Sequence, residues 1–331
     1  MRRPASALAL LAAVALSTAS CRDGDGGPTA TDPPPERPTR PEPPALPELP
    51  VPRTEVAGAA WDGGLAVAGG LTADGGASDL VHFWRPEADE WAPGPPLPRP
   101  LHHGALAVVA DRLYVIGGYS NGPGEPWVPQ AVVASLGAGE PAWRDEPALP
   151  APRGAHAAAV AGGRLVVVGG ESGGAALAST AVYDPADRTW RDGPTLARAR
   201  EHLAAAAASG RVYAIAGRTG AEGNFTDVES LDPVGDPQWR PESDLNRSRG
   251  GIGADSVGGT VCVAGGEEAA GTIAPVECRR GGAWVVVADL ARPRHGLAVM
   301  ALGGRLHVVG GGEQPGLTVS GVHEAIDVAG G

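Results

Sequence analysis

The chain of 331 residues contains no lysine, so its 26 basic residues are all arginines. Aromatic residues make up only 4% of the sequence, and there are 3 cysteines and 2 methionines. With so few large apolar side chains but 51 glycines and 33 prolines, long helices are not expected, and the composition predicts many short strands with frequent turns. The lack of lysine carries no functional meaning, because abundant Ala, Gly, Pro and Arg are typical of a GC-rich genome.

The formal net charge is −12 at pH 7, from 38 acidic and 26 basic residues. Binding to nucleic acid requires a basic face, and a chain with this charge balance does not favour one. We therefore expect no nucleic-acid partner. An acidic chain of this kind fits a soluble protein that works outside the cytoplasm.

The N-terminal residues have the pattern of an export signal. Arg2 and Arg3 precede an apolar stretch at residues 5–16, which is too short to span a bilayer, and small residues then lead to Cys21. This ending resembles the bacterial lipobox and implies acylation of Cys21, although Thr18 stands where that family usually has Leu. The alternative is an ordinary signal peptide followed by a secreted protein with a free thiol at Cys21.

Residues 22–43 consist largely of Pro, Asp, Glu, Thr and Gly and cannot bury enough apolar surface to fold. A proline-rich chain extends by about 3.1 Å per residue, so this segment reaches roughly 60–70 Å. The predicted organisation is a signal peptide at 1–20, a tether at 21–43 and a folded domain at 44–331. We expect a monomer held at the bacterial cell envelope by lipid on Cys21.

Glycine pairs end apolar runs at a regular interval along the folded domain. The second glycine of each pair is at position 70, 118, 170, 217, 266 or 311, which gives steps of 45 to 52 residues. Ala216 replaces the first glycine of the fourth pair. A tryptophan follows each of the first five pairs, at positions 91, 143, 190, 239 and 284. A fixed period of this length indicates one repeat domain.

The double glycine and the tryptophan at this spacing resemble the kelch repeat, and the resemblance covers roughly residues 45–328. It implies an all-β fold, a six-bladed β-propeller of kelch type with four antiparallel strands, a to d, in each blade. Small residues such as those at 57–60 and 204–208 suit strand a, because the inner strands crowd around the axis. Each Trp falls on strand d, where blades splay apart and a large side chain fills the gap.

The sixth repeat ends after its third strand. Residues 45–51, before the first inner strand, have the same Leu-Pro ending as the outer strands that end at Leu97 and Leu149. We therefore expect this N-terminal segment to supply the outer strand of the last blade and to close the ring, which would remove an exposed sheet edge.

Because the strands of a blade alternate in direction, the d-to-a and b-to-c connections lie on one face of a propeller. The b-to-c loops are longer than a connection requires, which is typical of binding loops: 71–79, 119–130, 171–179, 218–227, 267–275 and 312–320. The segments leading into strand a on the same face contain arginines and histidines. The ligand-binding candidates there are Arg99, His102, Arg153, His156, Arg200, His202, Arg249, Arg294 and His295.

These side chains have two interpretations. A ring of guanidinium groups around the channel mouth would bind a carboxylate, sulfate or phosphate. The favoured interpretation is structural, because kelch-like blades often have an Arg here that pairs with a neighbouring blade. Glu171, Glu267 and Glu313, which directly follow glycine pairs, are the candidate partners.

Two loop aromatics, Trp127 and Phe225, are candidates for contact with a sugar or a peptide. No metal site and no cofactor are expected. The neighbouring residues His102 and His103 suggest a metal at first sight, but adjacent residues of a strand point to opposite faces and do not readily share one ion.

Cys262 and Cys278 fall on adjacent antiparallel strands of blade 5. In an exported protein, two such cysteines are expected to form a disulfide, provided that their Cα atoms lie within about 7 Å. The alternative is a pair of buried free thiols.

The favoured function is a non-enzymatic binding module that presents the long-loop face to a glycan, peptide or protein partner. The alternative is an enzyme at the axial mouth, since the chain looks comparable to the periplasmic sialic-acid mutarotase, a six-bladed kelch-type enzyme. That resemblance implies arginines that hold a sugar carboxylate and a Glu or His, such as Glu201 beside His202, that moves a proton. Copper-radical oxidation is excluded, because the four tyrosines have no matching Cys. A purely structural scaffold is the third hypothesis.

Overall fold

The computed structural model describes residues 45–328, which form a six-bladed β-propeller without helices. The prediction of an all-β, six-bladed fold of kelch type is confirmed. The inner strands contact one another in a ring, and strand a of blade 1 contacts strand a of blade 6. Within the described part of the chain, no element meets the length and hydropathy of a membrane-spanning helix.

The strands of blades 1 to 5 follow the order a, b, c, d from the axis outward, each antiparallel to the next, and blade 6 has strands a, b and c. Blade 1 contains Ala57–Trp61, Gly64–Ala68, Val81–Arg85 and Glu90–Pro93. Blade 2 contains Ala105–Val109, Arg112–Ile116, Val133–Leu136 and Arg144–Asp145. Blade 3 contains Ala157–Ala161, Arg164–Val168, Thr180–Asp184 and Thr189–Asp192.

Blade 4 contains Ala204–Ala208, Arg211–Ile215, Val228–Leu231 and Arg240–Pro241. Blade 5 contains Gly250–Val257, Thr260–Glu268, Pro275–Arg280 and Ala283–Asp289. Blade 6 contains Ala298–Leu302, Arg305–Val309 and His323–Ile326. Short two-residue strands in the b-to-c loops pair Tyr119–Ser120 with Val128–Pro129, Glu171–Ser172 with Ala175–Ala176, and Arg218–Thr219 with Gly223–Asn224; in blade 5, Gly271–Thr272 pairs with the end of strand b.

The glycine pairs are required by the backbone at the end of strand b. In the fourth pair, Ala216 has a φ of 50° and Gly217 a φ of 99°. Alanine tolerates the first value at a modest cost, whereas the second lies where only glycine is comfortable. A Cβ on Gly217 would also lie 2.8 Å from the backbone oxygen of Glu201. In this fourth pair the first position therefore accepts alanine and the second does not.

The five tryptophans that recur with the glycine pairs each form a hydrogen bond to the chain segment that precedes their blade. The indole N–H of Trp284 donates a hydrogen bond of 2.9 Å to the backbone oxygen of Ser243, two residues before Leu245 of blade 4. Four other indoles make the same bond: Trp91 to Pro47, Trp143 to Pro95, Trp190 to Pro147 and Trp239 to Pro194. The predicted filling of the gaps between blades is thus accompanied by a repeated hydrogen bond.

The N-terminal segment lies beside blade 6 without becoming a strand. Leu49 donates a backbone hydrogen bond of 2.7 Å to Gly321, and Trp91 bonds to Pro47 as the other tryptophans bond to their neighbours. Residues 45–51 nevertheless have no strand geometry, so the sheet of blade 6 has three strands. Pro47 and Pro50 have no N–H to donate to a sheet, which explains the irregular backbone.

Cys262 and Cys278 are joined by a disulfide, with their Cα atoms 4.1 Å apart. The two cysteines are directly paired across strands b and c of blade 5. Both are fully buried, in a cluster of apolar side chains that blade 5 shares with blade 6. The disulfide therefore ties the middle of this blade in its core.

Candidate functional site

The arginines that precede strand a are buried in their own blade. The guanidinium of Arg249 donates to the backbone oxygens of Gly265, at 3.1 Å, and Pro275, at 2.9 Å, and to Oε1 of Glu277 at 2.6 Å. These bonds hold the b-to-c connection against the start of the blade. The other arginines at this position, which also bond backbone oxygens of their own blade, are Arg53, Arg153, Arg200 and Arg294.

The acidic partners of these arginines differ from the expected ones. They are Glu229, Glu277 and Glu324 on strand c of the same blade, at 2.9, 2.6 and 2.7 Å. Glu171, Glu267 and Glu313 do not pair with the buried arginines, because each guanidinium turns inward to the carbonyl groups of its own blade. A cationic ring around the mouth is consequently not formed by Arg153, Arg200, Arg249 and Arg294.

The residues around each buried arginine vary together from blade to blade. A leucine stands four residues before each of these arginines, and where strand c has a Glu, its carboxylate also accepts the backbone N–H of the residue after that leucine: Ala197, Asn246 or Ala291. Where strand c lacks the Glu, that residue is a proline, which has no N–H: Pro50, Pro98 or Pro150. Blade 2 goes furthest, since Leu101 replaces the arginine and packs in one apolar cluster with Ala134, at the Glu position. The carboxylate and the backbone N–H that it accepts are therefore present or absent together, whereas blades 1 and 3 keep the arginine without the Glu.

Two residues after the arginine position, the six blades form a ring of backbone hydrogen bonds around the axis. In blades 2 to 6, the residue at this position donates its backbone N–H to the backbone oxygen of its counterpart in the preceding blade, and the bonds of the whole ring measure 2.8 to 3.2 Å. The ring runs from Glu55 to His103, Ala155, His202, Gly251 and Gly296, and Val56 closes it by donating to Gly296. The same residues line the mouth of the channel.

All six ring residues have a left-handed backbone. Glu55, His103 and His202 have φ values of 52°, 51° and 50°, and Gly251 and Gly296 have 70° and 60°. This conformation turns the side chains of three blades toward the axis. It also overturns the argument against a shared site at His102 and His103, because these residues are not in a strand and their Nδ1 atoms lie 2.5 Å apart.

A cluster of carboxylates and imidazoles fills the mouth. Oε2 of Glu55 lies 3.2 Å from Nε2 of His103, and Nε2 of His103 lies 3.0 Å from Nε2 of His202. Oε1 of Glu55 lies 3.3 Å from Nδ1 of His295. On the far side, Nδ1 of His202 contacts Oε2 of Glu201. One donor atom from each of Glu55, His103 and His202 lies within 4.8 Å of the others, a spacing that can accommodate a metal ion.

The cluster has strongly shifted pKa values. Burial favours the neutral form of Glu55, but the interactions with His103 and His295 outweigh it and lower the carboxyl pKa to about 2. Burial lowers the pKa of His103 and of His202 well below the usual 6.5. Burial also opposes the charged form of His295, yet its contacts with Glu55 raise its pKa. These shifts favour the ionised form of Glu55 and oppose the charged forms of His103 and His202.

Trp127 and the ion pairs of Arg218 lie next to the cluster. The ring of Trp127 lies over His102 and His103, with centroid distances of 4.7 and 4.9 Å, and remains 47% exposed. Arg218 pairs with Glu201 at 3.4 Å and with Glu267 at 2.7 Å. The long-loop face therefore carries the mouth, because bridges join the start of each blade to its b-to-c loop, as at His102 and Tyr119.

Other predicted candidates lie apart from the cluster or are not accessible. Arg99 is exposed and bonds Oε1 of Gln130 at 2.6 Å. Phe225 is buried beneath Arg198, whose Cζ lies 4.5 Å from the ring centroid, so it is not an exposed contact residue. His156 lines the mouth but is buried, and burial lowers its pKa to about 3.

His102, His202 and His295 were predicted as ligand-binding candidates from the sequence, and His103 was considered beside His102 for a metal site and set aside, whereas Glu55 and Arg218 were not predicted as site residues. Aligning the repeats at the arginine position would have placed Glu55, His103 and His202 at equivalent places. Arg218 directly follows its glycine pair, as Glu171 and Glu267 do, but its position in the repeat does not show that its guanidinium reaches Glu201 and Glu267.

Comparison with known proteins agrees with this architecture. A solved structure titled "Structure of YjhT" matches with a TM-score of 0.74 at 16% identity, covering 86% of this chain and 97% of that chain, a likeness that shows the fold alone. The human "Kelch-like protein 33" is 37% identical over 107 residues, which are 31% of this chain and 18% of that protein. The chain thus spans less than a fifth of that relative's length. The family model of the KLHDC2/KLHL20/DRC7 Kelch-repeats domain matches residues 59–266, more than half of the chain. The chain therefore belongs to this family of kelch-repeat domains.

Proposed function

We propose that the protein is a binding module that presents its long-loop face to a protein partner, from a lipid anchor at the bacterial cell envelope. The observation that carries the proposal is the exposed Trp127 at the channel mouth. Its indole is held by packing on His102 and His103, and its ring centroid lies 5.6 Å from that of Tyr119. A rigid aromatic of this kind loses little conformational entropy on binding, and such residues often dominate the energy of protein interfaces.

Apolar side chains on the b-to-c loops of blades 2 and 6, both of which lie against the blade 1 loop, form a surface that we call the apolar strip. Val128 and Leu317 are 54% and 50% exposed. Leu317 lies against Gly75 of the blade 1 loop, and Pro123 of the blade 2 loop lies against the adjoining Gly76. The side-chain amide of Asn121 bonds the backbone oxygen of Gly75 at 3.0 Å and fixes the two loops together. A strip with neighbouring loops tied to each other offers a preformed surface to a partner.

The exposed charged side chains elsewhere on the long-loop face favour a protein over a glycan. Arg198 pairs with Asp227, Arg247 with Glu268, and Arg292 approaches Glu313. An apolar centre inside a polar rim is the usual anatomy of a protein interface. A sugar would instead require many free hydrogen-bonding side chains, and these exposed charges are already engaged with one another.

The experiment selects peptides from a displayed random library on the full chain and measures the binding of the selected peptides by calorimetry. We expect Trp127→Ala to weaken binding by at least tenfold, about 1.4 kcal/mol. The matched control is Val234→Asp, which changes a residue that is 63% exposed on the opposite, short-turn face. The proposal would be contradicted if Trp127→Ala bound the selected peptides as tightly as the wild type. It would also be contradicted if sugars from a panel stabilised the protein thermally and no peptide did.

The proposed location depends on Cys21, which lies outside the described residues. Its support is the N-terminal sequence pattern together with the buried Cys262–Cys278 disulfide, since such bonds persist in oxidising compartments. Metabolic labelling with an alkyne fatty acid in a bacterial host tests it. Label should enter the wild-type chain and not Cys21→Ala, and equal labelling of the two would refute the anchor.

A second candidate is an enzyme of the sialic-acid mutarotase type, and one contact favours it. Glu201 touches Nδ1 of His202, which leaves Nε2 of that ring directed at the mouth. A carboxylate–imidazole pair in this arrangement can act as a general acid or base. Anomer exchange of sialic acid followed by NMR is the test: the rate should exceed that in buffer and fall in Glu201→Gln, and a rate equal to buffer would rule the activity out.

A further inference from the structure

We propose that the mouth of the propeller binds a divalent transition-metal ion, with zinc as the best fit, through Glu55, His103 and His202. The fourth coordination position would face the mouth beneath Trp127. This inference concerns residues below the apolar strip and is independent of the partner proposed above.

The distances between the three donor groups match a small tetrahedral site. Zinc bonds of about 2.0–2.1 Å to nitrogen and oxygen place neighbouring ligand atoms about 3.3 Å apart. The Glu55 Oε2 to His103 Nε2 distance is 3.2 Å and the His103 Nε2 to His202 Nε2 distance is 3.0 Å. The remaining pair lies within 4.8 Å, so a small rotation of one side chain completes the site.

Each ligand has a neighbour that orients it. Glu201 contacts Nδ1 of His202, and His102 lies 2.5 Å from Nδ1 of His103. His295 holds the second oxygen of Glu55 at 3.3 Å. Imidazole ligands in metal sites commonly donate their other N–H to such a group, which leaves the opposite nitrogen free for the ion. The donor atoms of the three oriented groups lie within 4.8 Å of one another, and a cation among them would contact all three.

The backbone conformation at the three ligands indicates that their side chains have a function. Glu55, His103 and His202 have φ values near 50°, whereas blades 5 and 6 have Gly251 and Gly296 at the same position of the ring. Glycine adopts this conformation without the cost of about 1 kcal/mol or more that other residues incur. Three side chains are thus held at a position where the fold accepts glycine, and all three point to the same place.

The ligand set and its ionisation select the class of ion. Two imidazoles and one carboxylate suit zinc and its neighbours, whereas magnesium and calcium prefer oxygen ligands throughout. An ionised carboxylate and neutral imidazoles are the forms in which these side chains coordinate such an ion.

The test uses the full chain, purified without a histidine tag and stripped with a chelator. We expect calorimetry to show one Zn²⁺ per chain, and Co²⁺ to give the visible spectrum of a four-coordinate site. Variants copy what other blades have at the ring: Glu55→Gly, His103→Gly and His202→Ala. Each should weaken Zn²⁺ binding by more than about 100-fold, because loss of an orienting neighbour alone costs 10–100-fold. Glu201→Gln should weaken it less and keep the cobalt spectrum.

Two controls separate this site from general histidine binding. Ala155→Gly changes the same ring position without removing a ligand, and His307→Gln removes an imidazole from a buried pair in blade 6 that lies 2.9 Å from His323. Both should bind Zn²⁺ as the wild type does. Circular dichroism confirms that each variant is folded, and the wild-type cobalt spectrum decides the question even if a variant is not. Absence of binding, an octahedral cobalt spectrum, or affinity unchanged in all three ligand variants would overturn the proposal.

Discussion

Replacing Arg249 with leucine should destabilise the propeller by about 3–5 kcal/mol, because it leaves a carboxylate buried without its cation. Arg249 and Glu277 are 0% and 1% exposed and are joined at 2.6 Å. Oε2 of Glu277 also accepts hydrogen bonds from Asn246, from the backbone N–H at 2.9 Å and from the side-chain amide at 2.7 Å. These two hydrogen bonds reduce the destabilisation, but they do not neutralise the charge of the Glu277 carboxylate.

Blade 2 indicates how the loss can be reversed. It has Leu101 and Ala134 where blade 5 has Arg249 and Glu277, so Arg249→Leu/Glu277→Ala should recover at least about 2 kcal/mol relative to Arg249→Leu alone. The double variant leaves the backbone N–H of Asn246 without its acceptor, at a cost of about 1–3 kcal/mol. Adding Asn246→Pro, as at Pro98 of blade 2, removes that N–H and should recover part of this cost.

Equilibrium unfolding in urea at pH 7, with the disulfide intact, measures these differences. Tryptophan fluorescence and circular dichroism should give coincident transitions, which is the condition for converting midpoints into free energies. The reasoning is refuted if the double variant is as unstable as the sum of the two single variants. That result would mean that Arg249 and Glu277 act independently rather than as one buried set.

Three further predictions concern the repeat framework and its histidines. Trp284→Phe keeps an aromatic ring but removes the bond to Ser243, so urea unfolding should show a loss of about 1–2 kcal/mol, and an unchanged midpoint would contradict the bond's role. Gly170 has a φ of 94°, and a Cβ there would lie 2.7 Å from a backbone oxygen, so Gly170→Ala should lower the free energy of unfolding by more than about 2 kcal/mol. Gly163 has a φ of 72° and open space around it, so Gly163→Ala should lower it by only about 1 kcal/mol. Equal losses in the two variants would disprove the steric argument. Burial lowers the pKa of His323 to about 3, below its value in the unfolded chain, so its contribution is complete above pH 6.5 and is lost as the pH falls toward 3. His323→Gln should therefore reduce the loss of stability between pH 7 and pH 5 by about 2 kcal/mol in urea titrations, and an unaltered loss would show that this imidazole is not the responsible group.

The repeat pattern predicted most of the fold because its residues are required locally. A second glycine with a φ near 100° and a tryptophan that reaches the preceding blade must recur wherever a blade recurs. The outer strand expected at residues 45–51 was wrong as a strand, since Pro47 and Pro50 lack the N–H groups that a sheet uses. Leucine spacing indicated where this segment lies, but spacing alone does not specify its hydrogen bonds.

The candidate site was less predictable, because it depends on directions rather than on residue types. Arg249 was predicted as a site residue from the sequence. Whether its guanidinium faces the mouth or its own blade depends on which backbone carbonyl groups lack other hydrogen-bond donors, and the sequence does not show this. Phe225 illustrates the same difficulty, since a loop aromatic is exposed or buried according to the side chain above it, here Arg198.

The amino-acid sequence by itself determined the number of blades, the small residues at the axis and the face that carries the long loops, since each follows from a period and from the size or backbone freedom of single residues. Only the tertiary structure decided that Glu55, His103 and His202 meet, although 147 residues separate the first from the last. The physical reason is closure of the ring: one left-handed residue per blade is joined to the next by backbone hydrogen bonds, and this places side chains from distant blades on a common axis.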